Sequence, residues 1–142
     1  MRLSLVVSAA LIALHGAALS EWSLEPVKDG RTGRETTRAL LREPGRRATL
    51  VIQCSQQGPE PVLYLHEPAS GTQIQLTYRF DDDEAQVRTV LLSPSGHLAR
   101  IWSELEKHAF AKAKRLRVQL RPFVVFDFNL RGIETIAAKF KC

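Results

Sequence analysis

The chain has 142 residues, of which 44% are hydrophobic and 25% charged, with a formal net charge of +5 and two cysteines. That length suits one domain with one core, and no internal repeat or low-complexity tract interrupts it. A positive balance of this size is compatible with ordinary solubility and does not by itself mark a nucleic-acid binder.

Residues 1–20 read as a signal peptide. Arg2 supplies a minimal positive start, residues 3–14 are apolar apart from Ser4 and Ser8, and Ala18-Leu19-Ser20 places small residues where a signal peptidase reads. The apolar run is shorter than the roughly 20 residues of a membrane-spanning helix, and His15 and Gly16 interrupt it. Removing this segment removes Arg2 and no acid, so the formal charge falls from +5 to +4. The expected product is one domain over 21–142, periplasmic or secreted.

Trp22 and Leu24 alternate with Ser23 and Glu25, which predicts a strand with Trp22 plugging the core, and Pro26 confines that strand to a sheet edge. Residues 29–34 are turn chemistry. Residues 35–42 fit a strand or a short helix, with strand preferred. After a turn at 43–47, residues 48–54 predict a strand with Leu50, Ile52 and Cys54 on its core face. Gly58 and Pro59 sit in a hairpin connection spanning 56–61. The next run, 62–66, is apolar on both faces, as in a central strand with something packed over it.

The clearest element spans 73–80. Ile74, Leu76, Tyr78 and Phe80 alternate with Gln73, Gln75, Thr77 and Arg79, so one face is apolar and the other wet. Asp81-Asp82-Asp83-Glu84 then marks a solvated turn. Residues 85–92 predict another strand, with Val87, Thr89 and Leu91 on one face and Arg88, Val90 and Leu92 on the other. Residues 97–102 are short and extended.

Ser103 and Glu106 form a capping box, and Leu105, Ala109 and Ala113 recur at helical spacing, so a helix of two to three turns is expected. Residues 115–120 alternate again, with Leu116, Val118 and Leu120 inward. The last strand, 123–130, points Val124, Phe126, Phe128 and Leu130 to one side. Gly132 opens a terminal helix whose face is Ile133, Ile136, Ala137 and Phe140, carried to Cys142. The expected fold is mainly β: an antiparallel β-sandwich or strongly curled sheet with two short helices.

Cys54 and Cys142 are the only cysteines. In an oxidising compartment they most simply form one intramolecular disulfide, which by chain entropy stabilises by about 4–5 kcal/mol.

Catalytic signatures are weak. Ser93, Ser95 and His97 lie close together, but neighbours within one turn rarely reach productive geometry, and the G-x-S-x-G elbow is missing. Neither sulfur is a nucleophile once oxidised. His66, His97 and His108 are scattered without metal-ligand spacing, and the acidic run lacks the glycine and frame of a calcium loop. The expectation is no enzyme, no metal and no cofactor. Lys112, Lys114, Arg115, Arg117 and Arg121 form the candidate partner-binding basic patch, to which Arg42, Arg46 and Arg47 could add in space. No aromatic residues interleave with these charges, which argues against single-stranded nucleic acid.

Thr77-Tyr78-Arg79-Phe80-Asp81 resembles the V/T-Y-R-F-D strand of small exported bacterial proteins of the VasI type, associated with type VI secretion clusters. Trp22, the strand ending in Cys54, the run from Ala111 into Val118, and the segment from Phe126 to Cys142 match in order. Arg131 stands where a family-like serine would cap the last helix. The resemblance implies export, this fold and a non-catalytic accessory role in protein–protein interaction, without defined binding residues. An inhibitor or immunity-type protein that binds an enzyme or effector is the alternative expectation.

Overall fold

The computed structural model describes residues 21–56, 58–100, 112–121 and 124–142. The expected signal peptide, and the expected helix from Ser103 except for its end, lie outside the described residues. Alternation sets the rest. Among the described residues nine strands, β1 (Ser23–Lys28), β2 (Glu35–Arg42), β3 (Ala48–Ser55), β4 (Gly58–Leu65), β5 (Gln73–Phe80), β6 (Gln86–Leu91), β7 (Leu98–Ala99), β8 (Arg115–Arg121) and β9 (Val124–Asn129), precede the helix α1 (Ile133–Lys139). The first sheet has the order β1-β2-β3-β4-β7 and the second β6-β5-β8-β9, with every pairing antiparallel.

One apolar cluster takes side chains from both sheets and from α1. The first sheet supplies Ala39, Leu41, Leu50, Leu63 and Leu65, the second Leu76, Tyr78, Phe80, Leu116, Val118, Phe126 and Phe128, and the helix Ile133 and Ile136. The strand over 73–80 turns Leu76, Tyr78 and Phe80 inward as its alternation predicts, and sits inside its sheet between β6 and β8. Trp22 is buried in the same cluster beside the edge strand β1. Residues 35–42 resolve as a strand. Val62 and Leu63, adjacent on β4, are both buried, so the strand is covered on both faces at that point, whereas Tyr64, on the face of Val62, is exposed.

Several local expectations change. β4 begins at Gly58, earlier than the hairpin connection predicted, and carries Pro59 and Pro61 opposite Cys54 and Ile52. A proline is tolerated in a strand where no ladder needs its N–H. β7 pairs β4 only at Leu63 and Tyr64, which leaves that stretch with an open side among the described residues. Asp81 is exposed but more than solvated. Its backbone takes a positive φ of 48°, and its Oδ1 accepts N–H bonds from Lys114 at 3.0 Å and Arg115 at 2.9 Å, which pins the start of β8. The second face of 85–92, Arg88, Val90 and Leu92, is the inward one, because Val90 is buried while Val87 and Leu91 are 60% and 67% exposed.

The C-terminus is fastened to the first sheet. The β2–β3 ladder ends at Ala39↔Ile52. Beyond it, the Thr37 N–H donates to the Lys141 carbonyl at 2.9 Å, and Cys54 is bonded to Cys142, 88 residues away. The tail therefore enters the fork between the two strands. This explains why α1 stops at Lys139 instead of reaching Cys142: Phe140 must adopt extended backbone (φ −75°, ψ 134°) for the tail to reach the fork. Ala137, predicted on the buried helical face, is exposed, whereas Ile133 and Ile136 carry that face within α1 and Phe140 packs against the core from the extended tail. The helix has no side-chain cap. Gly132, at φ 90°, serves in its place.

Candidate functional site

The β2–β3 hairpin builds the most distinctive surface. Its turn is organised by Glu43, which is only 4% exposed. Glu43 Oε1 accepts the Arg47 backbone N–H at 2.7 Å and Arg47 Nε at 3.4 Å. A side chain at Gly45 would press on the same carboxylate, with a Cβ 2.7 Å from Oε1. The chain then closes through Arg46, whose φ of 56° is a left-handed conformation that L-residues adopt at a cost. Arg47 reaches across to the second sheet. Its Nη2 donates to the Val125 carbonyl at 2.8 Å, and its guanidinium lies 5.2 Å from the Phe126 ring centroid.

Register places a polar row on the outer face of the first sheet. Arg42 stands opposite Thr49, Thr49 opposite Tyr64, and Tyr64 opposite Leu98. Arg42, Thr49 and Tyr64 of this row, together with Arg38, Leu40, Arg46, Val51 and His66, line a groove of about 440 Å³ with no acid among the described lining residues. Arg38 is held by Glu25 at 2.8 Å. Arg42 and Arg46 are exposed, and their side chains make no ion pair or hydrogen bond with the described residues. Tyr64, 37% exposed, is fixed from two sides: the His97 ring stacks on it at 5.3 Å, and the His66 ring meets it edge-on at 5.5 Å. His66 Nε2 is 3.0 Å from the hydroxyl of the buried Thr49. A rigid aromatic ring beside free guanidiniums offers contact area at little entropic cost, and Tyr and Arg are the residues that most often anchor interfaces.

The predicted basic patch is arranged differently. Arg115 and Arg117 lie on the outer face of the second sheet, and both approach Asp127 on β9, at 3.7 and 3.0 Å. The hydrogen bond to Asp127, followed by its charge, raises the Arg117 pKa above the usual arginine value. Arg79 stands opposite Arg117, half-buried, with a buried Nε that has no partner among the described residues. Lys112 and Lys114 are exposed. Arg121 closes β8, and the placement of its side chain lies outside what is described. A depression of about 420 Å³ beside Lys114 and Arg115 also holds the acids Glu21 and Asp127. Arg42 and Arg46 do not join this patch, since Arg42 points away from the core on the other sheet. The placement of Arg42 and Thr49 on either side of the turn at 43–48 was the available sequence signal for the groove.

The serine–histidine cluster is a turn. Ser93 Oγ lies 3.0 Å from Ser95 Oγ and accepts the Leu98 N–H at 3.0 Å. His97 Nδ1 is 2.6 Å from the Leu65 carbonyl, so that nitrogen is the donor, and Leu65 N–H returns a bond to the His97 carbonyl. Neither serine is bonded to the imidazole, which serves to dock the β6–β7 turn on β4. Among the described residues, no three His, Cys, Asp or Glu side chains are grouped as a metal ion would need, and no helix is long and apolar enough to cross a membrane. No protein-family model matches the chain, and neither a curated protein nor a solved structure matches it.

Proposed function

We propose that this chain is an exported, non-catalytic interaction protein that presents the outer face of its first sheet to an acidic protein partner. The observation that carries this reading is the pair of exposed, unpaired guanidiniums of Arg42 and Arg46 beside the clamped ring of Tyr64. No acid lines their groove among the described residues, so an incoming carboxylate or phosphate would meet guanidiniums without a partner there. The disulfide supports export, because such bonds persist in oxidising compartments. The apolar cluster shared by both sheets supports the finer architecture of a β-sandwich closed at its C-terminus by the bridge. Association with a type VI secretion apparatus, carried by the resemblance around Tyr78, is the setting in which such a partner would be sought.

The test is affinity capture from periplasmic extract with wild-type protein and with Arg42→Glu. The expected outcome is one acidic partner recovered near stoichiometry, lost at elevated salt and lost with Arg42→Glu. Equal recovery by the variant would overturn the assignment of this face.

A further inference from the structure

The two sheets do not close evenly over their shared core. Of the eight partly buried apolar residues packed against the core among the described residues, four (Ala69, Ile74, Leu120 and Val124) line one cleft at the end of the sheets. Its floor includes Leu65 and Phe126, each 2% exposed, so the cleft reaches the core itself. Its volume is about 410 Å³, within the range of about 300–1,000 Å³ typical of small-molecule sites. The opening coincides with a slip in the β8–β9 register between Gln119 and Arg121, the kind of irregularity that redirects a strand next to a site.

The mouth is cationic. Arg46, Arg47, His66 and Glu67 surround it. Arg47 is committed to Glu43 and the Val125 carbonyl, and His66 to Thr49. Arg46 is uncommitted, and it also lines the groove of Arg42, so positive charge continues from one cavity into the other. Glu67 is the single acid at this opening among the described residues. An apolar floor of core side chains behind a free guanidinium is complementary to a molecule that is apolar along its length and anionic at one end.

We propose that this cleft binds a free single-chain anionic amphiphile, a fatty acid or monoalkyl phosphate in chemistry, with its chain on Ile74, Leu120, Val124 and Phe126 and its head group on Arg46. The cleft shares Arg46 and His66 with the groove that faces the protein partner and differs from it in its apolar residues, since Ile74, Leu120 and Val124 have no place in that groove.

The test is a titration of the disulfide-bonded protein with dodecyl phosphate below its micelle concentration, followed by amide chemical shifts. Saturable shifts should concentrate at Ile74, Leu120 and Val124. Arg46→Gly should weaken binding at least tenfold without lowering Tm, since glycine adopts the positive φ of that position freely. Val124→Trp should fill the cleft and abolish the shifts, and if that variant does not fold, Arg46→Gly alone still decides. Dodecyltrimethylammonium should bind at least tenfold more weakly. Equal affinity for the cationic amphiphile, or unchanged affinity in Arg46→Gly, would overturn the proposal. So would sedimentation with anionic phospholipid vesicles in the absence of cleft shifts from the soluble probe, which would make this a membrane-docking face.

Discussion

On the outer face of the second sheet, Arg115 and Arg117 share the carboxylate of Asp127, and Arg79 is drawn half into the sheet. On the outer face of the first sheet, Arg42 and Arg46 stand exposed in a groove with no acid among its described residues. Arg115 and Arg117 of the sequence cluster are thus partnered, and the free Arg42 and Arg46 are separated along the chain from the tyrosine they accompany. Cross-strand register decides this. Arg117 stands opposite Asp127 in the β8–β9 hairpin, whereas Arg42 stands opposite a threonine and, one strand further, a tyrosine. Charge clustering in the sequence located cations. Only the pairing of strands separated those held in place from those on offer.

Both faces rest on one core and one fastening, and the largest effects should come from breaking these. Replacing both cysteines with serine should cost about 4–5 kcal/mol by chain entropy and should loosen the β2–β3 fork that carries Arg38 and Arg42, read by urea denaturation and by amide exchange at Thr37. If stability fell while exchange at Thr37 stayed slow, the tail would not be what holds the fork. Tyr78→Asp places an unpaired charge among side chains where the tyrosine is 2% exposed, and should destabilise by about 4 kcal/mol or more. A variant melting like the wild type would mean that the strand's faces are reversed.

Gly96→Ala should cost about 2 kcal/mol or more, measured by thermal denaturation. Its φ is 76°, and an added Cβ would run into the Ala69 carbonyl oxygen. Because the same turn carries His97, the ring stacked on Tyr64, this variant should also weaken the first face while leaving Asp127 and its arginines unaffected. Asp127→Asn should change stability by less than about 1 kcal/mol, as exposed ion pairs do. Its informative effect is elsewhere: it frees Arg115 and Arg117 and should give the second face an affinity for acidic peptides that the wild type lacks, measured by salt-dependent titration.

The smallest expected effect lies in the turn after β1. Asp29 Oδ1 accepts the Arg31 N–H at 2.8 Å, and this backbone bond, ahead of the opposing effect of burial, lowers the carboxyl pKa below its ordinary value of 3.8. A depressed folded value means that the carboxylate's contribution is fully present above the ordinary value and is lost as the pH falls through the depressed one. The Arg31 amide shift should therefore stay constant down to about pH 4 and move only below it. A midpoint at or above the ordinary value would show that the bond does not form in solution.

Much of the fold could be read from period alone. The strands over 73–80 and 115–120, the edge position of Trp22 and Pro26, and the pairing of Cys54 with Cys142 follow from alternation, proline chemistry and cysteine count. Less was legible where two residue sets compete. Residues 85–92 are apolar on both faces, so nothing local distinguishes Val90, which is buried, from Val87 and Leu91, which are exposed at a sheet edge. The last helix shows another limit: its periodicity continues to Phe140, but the disulfide and the Thr37–Lys141 bond require an extended tail. The groove was the least legible feature. Its row joins three strands through two separate registers, and the left-handed turn at Arg46 depends on a buried Glu43 that reads in sequence as an ordinary turn acid.

The central claim is that the acidic partner meets the first sheet and not the second. Its most direct measurement compares partner capture by two charge-reversed proteins, Arg42→Glu with Arg46→Glu against Arg115→Glu with Arg117→Glu, both first shown to melt like the wild type. At least a tenfold loss of captured partner is expected for the first pair and a change within about twofold for the second, a tenfold loss corresponding to about 1.4 kcal/mol. Loss confined to the second pair would contradict it.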